Sequence, residues 1–177
     1  VLYVSAVSDN WDIHILDLET LTTSPLIETR FREVPFQISP DGNWLTYISD
    51  ESGNLDIYLA SYPSLGRKIR VSPDGGASAL WSPDGTKLYY LRENALMVAH
   101  VESEPAFSIG RPEELISAAD LGVVEAGPGL TAFDVSPDGE RFIIRKSVDQ
   151  TRSGNEIVMI ENWNLEIDRM TPKDKDF

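Results

Sequence analysis

A four-residue sequence, Ser-Pro-Asp-Gly, occurs three times in this chain with similar neighbours, and it constrains the fold more than any other feature. A short apolar run precedes each copy, and an alternating apolar run follows it. Proline fixes φ at the second position of a turn, aspartate caps the backbone with its carboxylate, and glycine accepts a positive φ. The motif therefore predicts a tight hairpin turn that ends on a glycine of positive φ. The three copies are Ser39-Pro40-Asp41-Gly42, Ser82-Pro83-Asp84-Gly85 and Ser136-Pro137-Asp138-Gly139.

Three short runs follow each turn, and their β-branched and aromatic residues, bounded by turn formers, are typical of strands. After the first copy these runs are Leu45–Ile48, Asp56–Ala60 and Arg67–Val71. With the strand before the turn, each repeat holds four strands, and successive copies begin 43 and 54 residues apart. Four-stranded units of about 40–50 residues are typical of β-propeller blades. The sequence predicts an all-β propeller of about three and a half blades in a single domain, at 1–30 (a partial blade), 31–73, 77–117 and 128–172.

The first blade and one further Ser-Pro-Asp-Gly motif depart from the regular repeat, whereas the last blade follows it. Leu2–Ser5 aligns with Leu45–Ile48 as a second strand, so the first blade would lack its inner strand. Leu165–Met170 would be the fourth strand of the last blade. A further copy, Ser72-Pro73-Asp74-Gly75, lies only ten residues before Ser82, which is too close to begin another blade. It is predicted as the connector between an outer strand and the next inner strand.

The charge and composition exclude several classes of partner. The formal net charge is −14, from 29 acidic and 15 basic residues, whereas nucleic acid and anionic membrane surfaces need a basic footprint. The absence of cysteine excludes disulfides and thiolate catalysis. No apolar run is long enough to insert into a membrane, and no basic region of a signal peptide precedes Val1. The chain is expected to be a fragment of a longer protein, whose compartment could be periplasmic, extracellular or cytoplasmic.

The motifs carry a family resemblance. Trp81-Ser82-Pro83-Asp84-Gly85 with the strand Leu88–Leu91 resembles the TolB-like β-propeller family. A narrower likeness, carried by Phe36–Trp44, Phe133–Phe142 and the closing Asn162-Trp163, is to the propeller that follows some bacterial eukaryotic-like serine/threonine kinases. Such propellers usually have six blades, so the resemblance implies an incomplete ring. The chain itself has no glycine-rich kinase loop and no H-R-D segment.

No catalytic residue is predicted. His14 and His100 fall in columns of the repeat that belong to ordinary strand residues. A Ser-His-Asp triad needs an oriented histidine beside a nucleophile, and no G-x-S-x-G elbow presents a serine here. The sequence therefore predicts a protein that is not an enzyme.

Acidic loop residues are the candidates for a metal site. Asp9 with Asp12, or Asp50 and Glu51 with Asp56, could supply oxygen ligands to calcium. No D-x-D-x-D-G loop accompanies them, and acidic hairpin loops are common on solvated faces. The prediction is no metal and no cofactor, with calcium as the alternative.

Propeller topology predicts where a ligand would bind. The loops between second and third strands lie at the same face as the connectors between blades, and ligands usually bind such loop-rich rims. The predicted rim residues are Asp9, Asn10, Asp50, Glu51, Asp74, Gly75, Arg92 and Glu93.

These features favour a non-catalytic module for binding, interaction or sensing, attached to a larger protein. Its partner would be a protein or a small ligand at the loop face. One alternative is the propeller of a hydrolase or peptidase whose catalytic domain is absent here. Another is a structural domain that self-associates, as a homodimer through open blade ends, because apolar blade faces need neighbours.

Overall fold

A computed structural model describes residues 1–7, 10–103, 106–122, 132–147 and 155–161, with Val7, Ser147 and 155–161 described by their backbone only. Four antiparallel sheets account for the strands of these residues, and consecutive strands pair in the order of the chain except at the end of the third sheet. The one helix among them, α1, is a single turn at Ala118–Leu121.

The first sheet contains β1 (Leu2–Val7), β2 (Asn10–Leu16) and β3 (Thr23–Ile27). The second contains β4 (Glu33–Ile38), β5 (Trp44–Ser49), β6 (Asp56–Ser61) and β7 (Lys68–Arg70). The third contains β8 (Ala77–Trp81), β9 (Lys87–Arg92) and β10 (Ala95–Glu102), with β11 (Ser108–Ile109) and β12 (Glu113–Ile116) both paired to β10. The fourth contains β13 (Phe133–Val135), β14 (Arg141–Ser147) and β15 (Asn155–Glu161). The predicted strand Leu165–Met170 lies outside the described residues.

The register of β1 corrects one part of the sequence alignment. Ser5 pairs with Asp12, as Ser49 pairs with Asp56 in the second sheet. Because Asp12 and Asp56 hold the same place in the repeat, Ser5 corresponds to Ser49. The alignment of β1 with the second strands is therefore wrong by one residue. A one-residue slip moves every side chain to the other face, so the faces of β1 are exchanged relative to that alignment.

Apolar side chains pack between successive sheets rather than within one central core. Alternate residues of a strand point to opposite faces, and β9 shows this directly. Leu88 and Tyr90 pack against the second sheet, while Tyr89 and Leu91 pack against the fourth. A third cluster, which includes Ile13 and the stacked rings of Tyr47 and Tyr58, lies between the first and second sheets. The inner sheets are thus buried on both faces.

The predicted turn geometry is confirmed. Gly42, Gly85 and Gly139 have φ values of 77°, 73° and 74°. In the turn that joins β8 to β9, the N–H of Gly85 donates to the carbonyl oxygen of Ser82 at 2.9 Å. The other two turns make the same bond, at 2.9 and 2.8 Å.

The serine hydroxyl of each turn makes two bonds that close it. In the second copy, Ser82 Oγ accepts from the N–H of Lys87 at 2.9 Å and donates to Asp84 Oδ1 at 2.6 Å. Asp84 Oδ1 also accepts from the N–H of Thr86 at 3.0 Å. The Ser82 hydroxyl and the Thr86 N–H hold the pKa of Asp84 below its ordinary value, because they stabilise the carboxylate. Equivalent bonds occur in the other two copies.

The fourth copy of the motif is bonded differently. Ser72 Oγ accepts from the N–H of Ile57, at 2.7 Å, and thereby fastens the chain to β6. The segment lies between β7 and β8, so the prediction of a connector is confirmed. Asp74 reaches out to Arg92 at 4.0 Å instead of bonding the serine of its own turn.

Trp81 joins the second and third sheets by hydrogen bonds as well as by packing. Its indole Nε1 donates to Thr46 Oγ1 at 2.7 Å, and its backbone N–H donates to Gln37 Oε1 at 2.9 Å. By the repeat, Asp134 and Ile143 of the fourth sheet correspond to Gln37 and Thr46. These two residues line an open cavity of about 300 Å³, and Ile143 is 45% exposed. No described residue therefore covers, on the fourth sheet, the surface that Trp81 covers on the second.

Candidate functional site

The strand order places two kinds of connection at opposite edges of the sheets. One edge, the loop rim, carries the β1–β2, β5–β6 and β9–β10 loops and the connections between sheets. The other edge, the turn rim, carries the three Ser-Pro-Asp-Gly hairpins. The predicted binding residues belong to the loop rim.

A cavity of about 420 Å³ opens at the loop rim between the first and second sheets, and it is called here the rim cavity. Three segments supply its walls: the start of β2, the connection from β3 to β4, and the residue that follows β5. Its lining residues are Asn10, Trp11, Arg30, Arg32 and Asp50.

Arg32 fastens the β3–β4 connection to the end of β5 through two bonds to one carboxylate. Its backbone N–H donates to Asp50 Oδ1 at 2.9 Å, and its Nε donates to Asp50 Oδ2 at 2.8 Å. Partial burial raises the pKa of Asp50, but the two hydrogen bonds and the Arg32 charge outweigh it and leave the pKa below its ordinary value. Asp50 therefore carries a negative charge that Arg32 compensates.

Asn10 holds the same connection from the side of β2. Its Nδ2 donates to the backbone carbonyl of Thr29 at 2.7 Å and to Asp12 Oδ1 at 3.2 Å. The N–H of Phe31 donates to Thr29 Oγ1 at 3.0 Å. The short connection is thus tied down on both sides, which fixes the backbone from which Arg30 and Arg32 project.

Arg30 is the cation of the rim cavity that has no acidic partner among the described residues. Its side chain is exposed, and its guanidinium lies 4.8 Å from the ring centroid of Phe31. With Arg32 and Asp50 compensating each other, Arg30 leaves the lining with a net positive charge. This is a local exception in a chain of net charge −14.

Glu33, the residue after Arg32, is a buried carboxyl group with 1% of its surface exposed. Its Oε1 accepts from Thr29 Oγ1 at 2.5 Å, whereas its buried Oε2 has no hydrogen-bond partner among the described residues. Burial raises the pKa of Glu33 and the charges of Asp12 and Asp50 add to the rise, while the Thr29 hydroxyl opposes it. Glu33 is therefore a group that holds its proton more tightly than an exposed glutamate.

The structure separates the predicted rim residues into groups. Asn10 and Asp50 line the rim cavity together. Glu51 instead pairs with Lys68 at 2.6 Å, outside the cavity lining. Asp9 lies outside the described residues.

The remaining predicted residues lie further along the loop rim. Asp74 and Arg92 approach each other to 4.0 Å. The N–H of Gly75 donates to Asp56 Oδ1 at 3.1 Å, and Glu93 forms the β9–β10 turn with a φ of 54°. None of these residues lines the rim cavity.

Sequence reasoning missed Trp11, Arg30, Arg32 and Glu33. The signal that could have found them is the segment Arg30-Phe31-Arg32-Glu33, which places two arginines directly before an inner strand of an acidic chain. Trp11 carried no such signal, because a tryptophan at the start of a strand is also typical of packing.

Three of the carboxylates that were candidate calcium ligands each pair with a basic side chain, whereas Asp12 Oδ1 accepts from Asn10 Nδ2 at 3.2 Å. Asp50 pairs with Arg32 and Glu51 with Lys68. The fully buried Asp56 pairs with Arg70 at 2.6 Å. Within the described ranges, no group of three acidic or histidine side chains is placed to hold a metal ion.

Both histidines lie in strands, as predicted. His14 is in β2, where its ring lies 5.6 Å from that of Tyr3, and His100 is exposed in β10. No helix in the described part of the chain is long and apolar enough to cross a membrane.

Comparison with known proteins identifies the fold. No protein-family profile matches the chain, and no curated protein matches it. Among solved structures, TolB from Acinetobacter baumannii is similar with a TM-score of 0.60 and 19% identity, over 91% of this chain and 38% of TolB. A protein described as TolB from Agrobacterium tumefaciens is similar with a TM-score of 0.57 and 19% identity, over 90% of this chain and 53% of that protein.

A third similar structure is oligogalacturonate lyase from Vibrio parahaemolyticus. Its TM-score is 0.58 at 12% identity, over 90% of this chain and 44% of the lyase. The chain thus spans between about two fifths and one half of the length of these three proteins. Identities this low establish the fold and not the function, and the fold is the predicted all-β, TolB-like propeller, here as an open part of a ring.

Replacing Glu33 by glutamine should remove the cost of ionising a buried carboxyl group while keeping an oxygen for Thr29. Because the pKa of Glu33 is raised in the folded protein, wild-type stability is lost as pH rises from the unfolded value near 4.3 through the folded value. Glu33→Gln should therefore raise the free energy of unfolding more at pH 7 than at pH 4, as measured by urea denaturation.

The exposed Glu114 of β12 provides the matched control, since Glu114→Gln removes the same charge without relieving any burial. Its effect should be nearly equal at the two pH values. If Glu33→Gln raised the free energy of unfolding as much at pH 4 as at pH 7, the role of burial would be contradicted.

Proposed function

We propose that this chain is a non-catalytic β-propeller module that binds a ligand or partner at its loop rim, within a larger protein. The observation that carries the proposal is the rim cavity. Arg30, which has no acidic partner among the described residues, lies there on a connection fixed by hydrogen bonds, and the indole of Trp11 in β2 lines the same cavity. Rigidly held polar groups around a cavity of several hundred Å³ are typical of binding sites.

The chemistry of the lining supports binding over acyl transfer. The cavity presents guanidinium, carboxylate, amide and indole groups. A Ser-His-Asp mechanism needs a histidine beside a nucleophile, and neither His14 nor His100 lines this cavity. The oligogalacturonate lyase shares the fold, and a fold by itself does not imply a function, so the proposal rests on the residues that line the cavity.

Attachment to a kinase or peptidase domain is part of the proposal. Its support is the likeness of the motifs to kinase-associated propellers, together with the partial coverage of the similar structures. In either arrangement the propeller would bind and the attached domain would catalyse.

Nuclear magnetic resonance of ¹⁵N-labelled chain, titrated with a library of small soluble compounds, tests the location of binding. Compounds that bind should shift the resonances of Trp11, Asn10 and Arg30 together, and Trp11→Ala should abolish those shifts. Trp11 contributes a wall of the cavity and also packs against the core, so a far-ultraviolet spectrum is needed to show that the variant folds. Compounds that shift only resonances outside the cavity would overturn the proposal, as would turnover of a hydrolase substrate abolished by one point mutation.

A second role, self-association, is favoured by the uncovered face of the fourth sheet. The equivalent face of the second sheet is covered by Trp81, whereas Ile143 is 45% exposed beside an open cavity. Leaving the apolar surface of such a side chain in water is unfavourable by about 25 cal/mol per Å². We propose that a second copy covers this face.

Sedimentation of the chain at micromolar concentration should give a dimer, and Ile143→Glu should convert it to a monomer, because a buried unpaired charge opposes the contact. Glu114→Gln serves again as a surface control and should leave the dimer intact. A stable, monodisperse wild-type monomer would defeat self-association and favour covering by another part of a longer protein.

A further inference from the structure

The charge of the rim cavity is the starting point for identifying its ligand, an inference that rests on the binding role proposed above. Arg32 and Asp50 form one compensated pair, at 2.8 Å. Arg30 contacts the ring of Phe31 and has no acidic partner in the part of the chain that the structure describes. A guanidinium with its planar set of N–H donors matches the two oxygens of a carboxylate, and such bidentate pairs are strong.

The position of Arg30 is prepared before any ligand arrives. The residues on either side of it are held by the bonds of Thr29 to Asn10 and of Arg32 to Asp50. Stacking on Phe31 restricts its side chain further, with the guanidinium 4.8 Å from the ring centroid. Groups that are already ordered lose less entropy on binding, so Arg30 is a suitable anchor.

The other walls favour a ring that carries hydroxyl groups. Both hydrogens of Asn10 Nδ2 are engaged, by Thr29 and Asp12, which leaves its Oδ1 to accept from a ligand hydroxyl. Asp50 retains lone pairs beyond those that Arg32 uses. The half-buried indole of Trp11 supplies an apolar face against which a ring can lie.

The net charge of the chain decides between a small anion and an acidic polymer. At physiological salt, charges are screened beyond about 8 Å, so a small ion seated on Arg30 experiences chiefly that local cation. A polyanion would extend over a surface whose chain carries a net charge of −14 and would be repelled. We propose that the rim cavity binds a small monoanionic carboxylate with ring hydroxyl groups, about the size of a hexuronate.

Glucuronate and glucose form a suitable pair of probes, because they differ at a single carbon by the carboxylate. Calorimetry and ¹⁵N spectra of the intact chain should show glucuronate binding at Trp11, about tenfold or more tighter than glucose, and weakening as salt is added. Arg30→Gln should reduce glucuronate affinity about tenfold and leave the response to glucose unchanged. Arg30→Lys should recover part of the loss, since it keeps the charge without the planar donors.

Arg67 provides the matched control. It is also exposed and stacked on an aromatic ring, with its guanidinium 5.7 Å from the Trp44 centroid, but it lies at the turn rim. Arg67→Gln should leave glucuronate affinity unchanged.

Equal affinity for glucuronate and glucose, or an Arg30→Gln variant that binds glucuronate as tightly as wild type, would overturn the carboxylate assignment. If uncharged library compounds shift the Trp11 resonances and neither glucuronate nor glucose does, the carboxylate ligand is wrong but the proposed binding role stands. If no compound shifts the Trp11 resonances, the carboxylate ligand and the binding role of the rim cavity are both wrong.

Discussion

The second, third and fourth sheets depend on the two hydrogen bonds that the serine hydroxyl makes in each Ser-Pro-Asp-Gly turn. In the second copy, the Ser82 hydroxyl accepts a hydrogen bond from the backbone N–H of Lys87, at the start of the outgoing strand. The same hydroxyl donates a hydrogen bond to the carboxylate of Asp84. The turn is thereby closed by side-chain bonds as well as by the backbone bond to glycine. Because the turn fixes where the second strand begins, it also fixes the register between the first two strands of the sheet.

Register connects these turns to the rim cavity at the opposite edge. In the second sheet the turn pairs Ile38 with Leu45, and an irregularity between Pro35 and Gln37 shifts the pairing by one residue. Glu33 therefore lies opposite Ser49, at the far end of the β4–β5 pair. The residues just outside this pair are Arg32 and Asp50, which therefore meet and bond. The same register directs alternate side chains to the two faces, so that sheets pack on both sides. The turn and the irregularity in β4 together set the pairing that positions the candidate site.

The sequence predicted what depends on short-range chemistry and not what depends on contacts between sheets. The three turns and the connector at Ser72 could be predicted, because proline, aspartate and glycine act within four residues. The register of β1 was predicted wrongly by one residue, because the consecutive apolar residues Leu2, Tyr3 and Val4 fit either register. Arg30 and Trp11 meet only where the first sheet lies against the second, and the burial of Glu33 depends on the same contact. Nothing in the spacing of these residues reports how two sheets stack.

A double-mutant cycle on Ser82 and Asp84 tests the role of the serine hydroxyl most directly. Ser82→Ala, Asp84→Asn and the double variant, compared by urea denaturation, should give a coupling energy of about 1 kcal/mol. The same cycle on Ser72 and Asp74 is the control, because these residues have the same local sequence but are bonded to Ile57 and paired with Arg92 instead. Its coupling should be near zero. Equal coupling at the two sites, or none at Ser82 and Asp84, would contradict the account.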